Sequence, residues 1–173
     1  MNKQLFLVVW LCTLIWVIQN LQITKTIEQN IVAITESTFN FIKGFEGKRN
    51  KAYQDSKGLW TIGVGHLIKP DEEFLKTVTL TDHDVEELFK RDLKWCDEAV
   101  NSSVRVPLNQ NQYDALYSLC FNIGADHFKR SEVVQHLNKN DYQSAANAIL
   151  NWNKPAVLEN RRKKERALFL TAI

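Results

Sequence analysis

Residues 44–66 read GFEGKRNKAYQDSKGLWTIGVGH, and this stretch decides the fold. Its beginning closes a helical pattern. Phe41, Ile42 and Phe45 recur at helical spacing, Ser37 and Thr38 are candidate N-caps, and Gly44 and Gly47 predict a stop near Gly47. From Lys51 the character changes. Tyr53, Trp60, Thr61, Ile62 and Val64 stand among Asp55-Ser56-Lys57-Gly58, Gly63 and Gly65, which reads as short strands joined by a glycine turn.

Downstream the pattern returns to helix. After the cap signals Thr81 and Asp82, the spacing of Val85, Leu88, Phe89, Leu93, Cys96 and Val100 predicts a helix over 82–101. Pro107 predicts the opening of another, with Tyr113, Leu116, Tyr117 and Cys120 on its apolar face and Gly124 at its end. Helices are expected at 131–139, 142–152 and 158–171. The fold class is therefore α+β, mostly helical, with one small antiparallel sheet near the start of the domain.

Upstream, residues 5–18 read LFLVVWLCTLIWVI, preceded only by the charge of Lys3. As a helix they span about 21 Å, against a bilayer core of about 30 Å. Extension to Ile23 reaches about 28 Å but takes in Gln19, Asn20 and Gln22. Three readings fit: a cleaved signal peptide, for which no A-x-A-like site is present; a core helix apolar on every face; and an uncleaved export anchor. Ile27, Ile31 and Ile34 give 24–37 a helical, amphipathic spacing. The chain thus divides into an anchor segment 1–23, a linker 24–37 and a domain 38–173.

Composition bounds the rest. The 173 residues are 45% hydrophobic and 24% charged, normal for a packed domain rather than a disordered chain. A net charge of +2 is too weak to argue for nucleic acid, and three cysteines are too few for a disulfide scaffold. The four histidines (66, 83, 127, 136) lack metal-ligand spacing, so no metal or cofactor is expected.

The chemistry lies in Glu46, Asp55 after eight intervening residues, and Thr61 after five more. A carboxyl at a helix end and another on a facing hairpin can flank a scissile glycosidic bond, one protonating the leaving oxygen and the other activating water or attacking. Singly, each residue is ordinary: a solvated helix-end carboxylate, a turn aspartate, a strand threonine.

Jointly they are specific. Phe45-Glu46-Gly47, Ala52-Tyr53, Asp55, Gly58, Trp60-Thr61-Ile62-Gly63 and Gly65-His66 resemble the phage lysozyme family, glycoside hydrolase family 24. Residues 106–124 (VPLNQNQYDALYSLCFNIG) resemble its central helix, 127–152 its C-terminal lobe and 160–170 (NRRKKERALFL) its closing helix.

The resemblance implies a two-lobed lysozyme whose lobes are joined by the long helix. It would cleave peptidoglycan between N-acetylmuramic acid and N-acetylglucosamine, with Glu46, Asp55 and Thr61 catalytic. Glu46 would be the general acid, and Asp55 with Thr61 would hold the attacking water. The family is understood to invert, which needs a gap of roughly 6.5–9.5 Å between the carboxyls. The resemblance further implies that His66 pairs with Asp92, that Arg161 lies near Glu46, and that Leu67, Phe121 and Ser131 line the cleft. On the residues alone, each of these three is equally core or cap. Val157-Leu158 stands where relatives often carry Gly-Leu, a departure next to Arg161.

An apolar N-terminus on such an enzyme resembles signal-arrest-release endolysins, exported to the periplasm and tethered to the inner membrane, here through residues 5–23. The partner would be peptidoglycan, the enzyme a monomer. In an exported chain Cys96 and Cys120, on two predicted helices, are a candidate disulfide; two buried free thiols are the alternative, and Cys12 is left over. Residues 154–166 hold six basic and two acidic side chains, either a surface for anionic polymers or a solvated helix face. Two other functions compete: a lytic transglycosylase, against which Asp55 and Thr61 together argue, and a tethered, non-catalytic wall-binding module.

Overall fold

In the computed structural model, which describes residues 34–55 and 58–171, Thr35 opens the first helix. Its hydroxyl accepts the Thr38 N–H, and the Thr38 hydroxyl accepts the Thr35 N–H. This capping box starts α1 at Glu36–Glu46. The expected caps Ser37 and Thr38 therefore sit inside the first turn, and α1 begins before the expected domain boundary at 38. Gly47, at φ 77, ends the helix in a conformation that side chains rarely adopt, leaving Glu46 as its last residue.

A three-stranded antiparallel sheet follows in the order β1 (Arg49–Gln54), β2 (Trp60–Gly63), β3 (His66–Leu67). Its register pairs Tyr53 with Thr61 and Thr61 with Leu67, while Ile62 pairs with His66. Alternation puts Tyr53, Thr61 and Leu67 on one face. Ile62 and His66 occupy the other and are buried. So small a sheet is marginal alone; it is held by this second face, packed toward the long helix.

A 3-10 segment, Pro70–Lys76, leads to α2 (Asp82–Ser103), started by a Thr81–Asp84 capping box. Val85, Phe89, Leu93, Cys96 and Val100 form its buried stripe. α2 packs against β2 and β3 and also against α3 (Gln110–Ile123) and α4 (Ala125–Arg130), bridging sheet and helical cluster. Pro107 does not open α3. Asn109 does, because its side chain accepts the Gln112 N–H while Gln112 caps it in return.

Every residue from Tyr113 to Cys120 is buried, so α3 is the hub, in contact with α1, α2 and α7. Full burial of a side chain such as Leu116 or Leu119 is worth about 1.5–3 kcal/mol. The helix expected at 131–139 is α5 (Glu132–Leu137), and α4 before it is a further short helix. Ser131 separates them: it ends α4, and its hydroxyl accepts the Val134 N–H to start α5. α6 (Tyr142–Ile149) runs into a 3-10 turn at Leu150–Trp152, and α7 (Glu159–Phe169) closes the domain. Ile34–Ile173 forms one compact unit.

α3 also grips the start of α1. Asp114, 2% exposed, accepts from Thr38 Oγ1 (2.6 Å), Gln110 Nε2 (2.7 Å) and Ser37 Oγ. This carboxylate at the positive end of α1 fixes the helix that carries Glu46. The apolar run 5–23, most of the linker and Cys12 lie outside the described residues. Among the described residues, no helix is long and apolar enough to cross a membrane.

Candidate active site

Glu46 emerges where Gly47 ends α1, one quarter exposed. Arg161 Nη1 donates to Glu46 Oε1 at 2.6 Å. The rest of that guanidinium is fully engaged. Nε donates to Glu165 Oε1 (3.0 Å), Nη2 donates to the Ser118 carbonyl (3.1 Å) and hydroxyl (3.2 Å), and the plane lies 4.8 Å from the centre of the Phe45 ring. Ser118 Oγ donates to Glu165 Oε1 at 2.6 Å, and Arg162 Nη2 donates to the same oxygen at 3.0 Å. Arg162 and Glu165 are wholly buried.

Two arginines and two glutamates thus make a charge-balanced cluster, which is what permits charge this deep in the domain. Burial pushes the Glu165 carboxyl above its ordinary range, and Arg162, Ser118 and Arg161 act against that. This burial also corrects the reading of 154–166. Arg161 and Arg162 face inward, so the exposed basic groups are Lys154, Lys163 and Lys164, with Arg166 half-buried and Lys163 paired to Glu159.

Asp55 and Thr61 meet at the backbone of one residue, Leu59. Asp55 Oδ1 accepts the Leu59 N–H at 2.9 Å, and Thr61 Oγ1 donates to the Leu59 carbonyl at 3.2 Å. The Gly58 N–H donates to the Asp55 carbonyl, closing the turn. Thr61 is buried at 3%, whereas its cross-strand neighbour Leu67 is 51% exposed.

Behind this face, His66 Nδ1 lies 2.8 Å from Asp92 Oδ2 and Nε2 lies 2.8 Å from Glu72 Oε2. Two carboxylates on the two ring nitrogens favour the protonated ring, in which both nitrogens donate. The bond to Asp92 raises the His66 pKa above 6.5 against the opposing effect of burial, and Glu72 adds to the rise. For Glu72 itself burial raises the pKa, but His66, the Lys69 N–H and Arg91 together bring it below 4.5. His66 is thereby a brace between β3 and α2.

Phe121 is half-buried on α3, its ring stacked on Trp95 of α2. Ser131 is a 4%-exposed helix cap that also lines a cavity of about 300 Å³ with Arg130, Glu132, Asn151 and Trp152. Cys96 and Cys120 do not form the candidate disulfide: both are buried free thiols.

Ser118, Glu165, Glu72 and Trp95 were not singled out from the sequence. Glu165 had a signal, since it stands four residues after Arg161 and three after Arg162, the spacings of paired helix neighbours. Ser118 and Glu72 had none, being brought in by tertiary contacts alone.

A helical domain with a small antiparallel sheet, one carboxylate at a helix end and another on the adjoining hairpin, defines a lysozyme-like class of protein. Residues 43–165 match the phage lysozyme family, and the chain belongs to it. It is similar to the endolysin of Salmonella phage P22, 49% identical over 146 residues that cover 82% of this chain and 100% of that one. A crystal structure of a P22 lysozyme mutant superimposes with a TM-score of 0.76 at 48% identity, covering 81% of this chain and 99% of that one. The SAR-endolysin of Enterobacteria phage P21 is 29% identical over 109 residues, 63% of this chain and 64% of that protein. Family membership makes the chain a peptidoglycan-hydrolysing lysozyme of the endolysin kind.

Proposed function

We propose that Glu46 is the general acid that protonates the leaving glycosidic oxygen, and that Asp55 with Thr61 holds and activates the attacking water. Asp55 would act as base and the anomeric carbon would be inverted. The observation that carries this is the joint anchoring of Asp55 and Thr61 on the backbone of Leu59, on the hairpin that directly follows the helix ending in Glu46. A shared anchor fixes the spacing of a carboxylate and a hydroxyl, which is what a water site needs. Arg161, rigid in its own cluster, orients the Glu46 carboxyl. Leu67 and Phe121 supply apolar contacts to the glycan, and Ser131 a polar one.

The bond cleaved would be the β-1,4 link between N-acetylmuramic acid and N-acetylglucosamine. We further propose that residues 5–23 export the enzyme and hold it at the inner membrane until release into the periplasm. The apolar run itself supports this, as does the SAR-endolysin name of the P21 relative. Release of reducing ends from purified peptidoglycan tests the chemistry. The wild type should be active and Glu46→Gln at least about a hundredfold slower; equal rates overturn the assignment of Glu46. Fractionation of expressing cells tests the tether: carbonate-resistant membrane association is expected, and an exclusively cytoplasmic chain overturns it.

A further inference from the structure

Trp95 has no part in the chemistry above, yet its setting is unusual for an indole on a helix surface. It is 39% exposed, and one face lies parallel to Phe121, with ring centres 6.1 Å apart and planes 18° apart. Phe121 in turn contacts Phe89, and Phe89 contacts Phe39 on α1. Phe89 and Phe39 are buried, at 1% and 6% exposure. The exposed ring is therefore backed by a packed aromatic row that ends on the helix carrying Glu46.

Its position is bounded on both sides by site elements. One turn before it on the same face of α2 is Asp92, bonded to His66, whose neighbour Leu67 is exposed and pairs with Thr61. One turn before Phe121 on α3 is Ser118, which binds Arg161 and through it Glu46. The Trp95–Phe121 pair thus stands one turn along α2 from the residue that braces the hairpin and one turn along α3 from the residue that holds Arg161. A pyranose presents a face of C–H groups that suits the electron-rich face of an aromatic ring, and a ring already stacked from behind is pre-organised to receive it.

We propose that Trp95, backed by Phe121, is a substrate-binding platform that takes one hexosamine ring of the glycan strand beside the cleavage site. This rests on the reading of Glu46, Asp55 and Thr61 as that site. The platform makes no contact with the reacting atoms, so it acts on KM.

The test uses the full chain and purified peptidoglycan. Trp95→Ala and Trp95→Leu should each raise KM about fivefold to tenfold, as expected for loss of one aromatic contact, and leave kcat within twofold. Trp95→Phe should recover most of the loss. Leucine keeps apolar bulk without the flat face, so it separates stacking from packing and serves if the alanine variant fails to fold. A second readout is retention on insoluble peptidoglycan in the Glu46→Gln background, where adding Trp95→Leu should lower the bound fraction by a similar factor. An active wild type with unchanged KM in Trp95→Leu overturns the platform alone. A wild type that cleaves nothing overturns the proposed chemistry, and unchanged retention of the double variant then overturns the platform independently.

Discussion

Arg161 ties Glu46 to the interior of the domain: its Nη1 lies 2.6 Å from Glu46 Oε1, while its Nε lies 3.0 Å from Glu165 Oε1. One planar group serves Glu46, Glu165 and Ser118 at once, and its fixed fork makes that possible. A lysine carries the same charge as a point and cannot hold these partners together. Arg161→Lys should therefore keep the charge balance but lose the orientation of Glu46, lowering kcat by about tenfold to a hundredfold, the scale of an ångström misplacement. Initial rates of reducing-end release measure this. A kcat within twofold of wild type would show that Glu46 needs no such support.

The start of the same helix gives a second prediction. Asp114 accepts three side-chain hydrogen bonds at 2% exposure, so converting it to asparagine turns one acceptor oxygen into a donor facing other donors. A hydrogen bond to a charged group contributes about 1.5–3 kcal/mol, and Asp114→Asn should lose about that much stability. The urea midpoint measures it. The slope should not change, since the same surface is exposed on unfolding.

These two anchors show what was legible in the sequence. Helix and sheet positions followed from periodicity, and the Glu46, Asp55 and Thr61 spacing stood in one continuous stretch where glycine and strand signals agree. Boundaries failed where side-chain caps rather than hydrophobic spacing set them: Thr35 displaced Ser37 and Thr38, and Asn109 displaced Pro107. The supporting shell was largely invisible. Ser118 meets Glu165 across 47 positions and Glu46 meets Arg161 across 115. The second was anticipated only through resemblance, because no local pattern encodes such a contact.

The His66 brace predicts a pH dependence whose sign can be worked out. The folded-state pKa of His66 is raised, first by the bond to Asp92 against burial, so its contribution is fully present below 6.5 and is lost as pH rises through the raised value. The folded-state pKa of Glu72 is lowered, so its contribution is present above 4.5 and is lost as pH falls through the lowered value. The brace is therefore strongest from pH 4.5 to 6.5. Asp92→Asn removes the largest cause of the His66 shift. In thermal unfolding across the pH range, its stability should fall less above pH 6.5 than that of wild type and level off at a lower pH. Parallel curves would mean that Asp92 does not hold the charged ring.

The two internal cysteines give a last prediction, bearing on the compartment in which the enzyme folds. Cys96 and Cys120 are free and each fully shielded from solvent, Cys96 on the buried stripe of α2 and Cys120 at the hub helix α3. Burial pushes the Cys96 thiol well above its ordinary range, and interaction with Cys120 adds to the rise. The nucleophilic form of a cysteine is the thiolate, so a thiol held protonated and shielded is inert whatever reagent surrounds the fold. With Cys12 replaced by serine, native protein at pH 8 should leave an aromatic disulfide reagent unreacted, and two thiols should titrate after denaturation. Protein recovered from the periplasm should give the same count as protein made in the reducing cytoplasm, because the oxidant never reaches the pair once the helices have packed. A count of zero after denaturation of the periplasmic sample would mean that Cys96 and Cys120 join before α2 and α3 close over them. Their place in the core would then record a disulfide made during folding rather than two hydrophobic side chains.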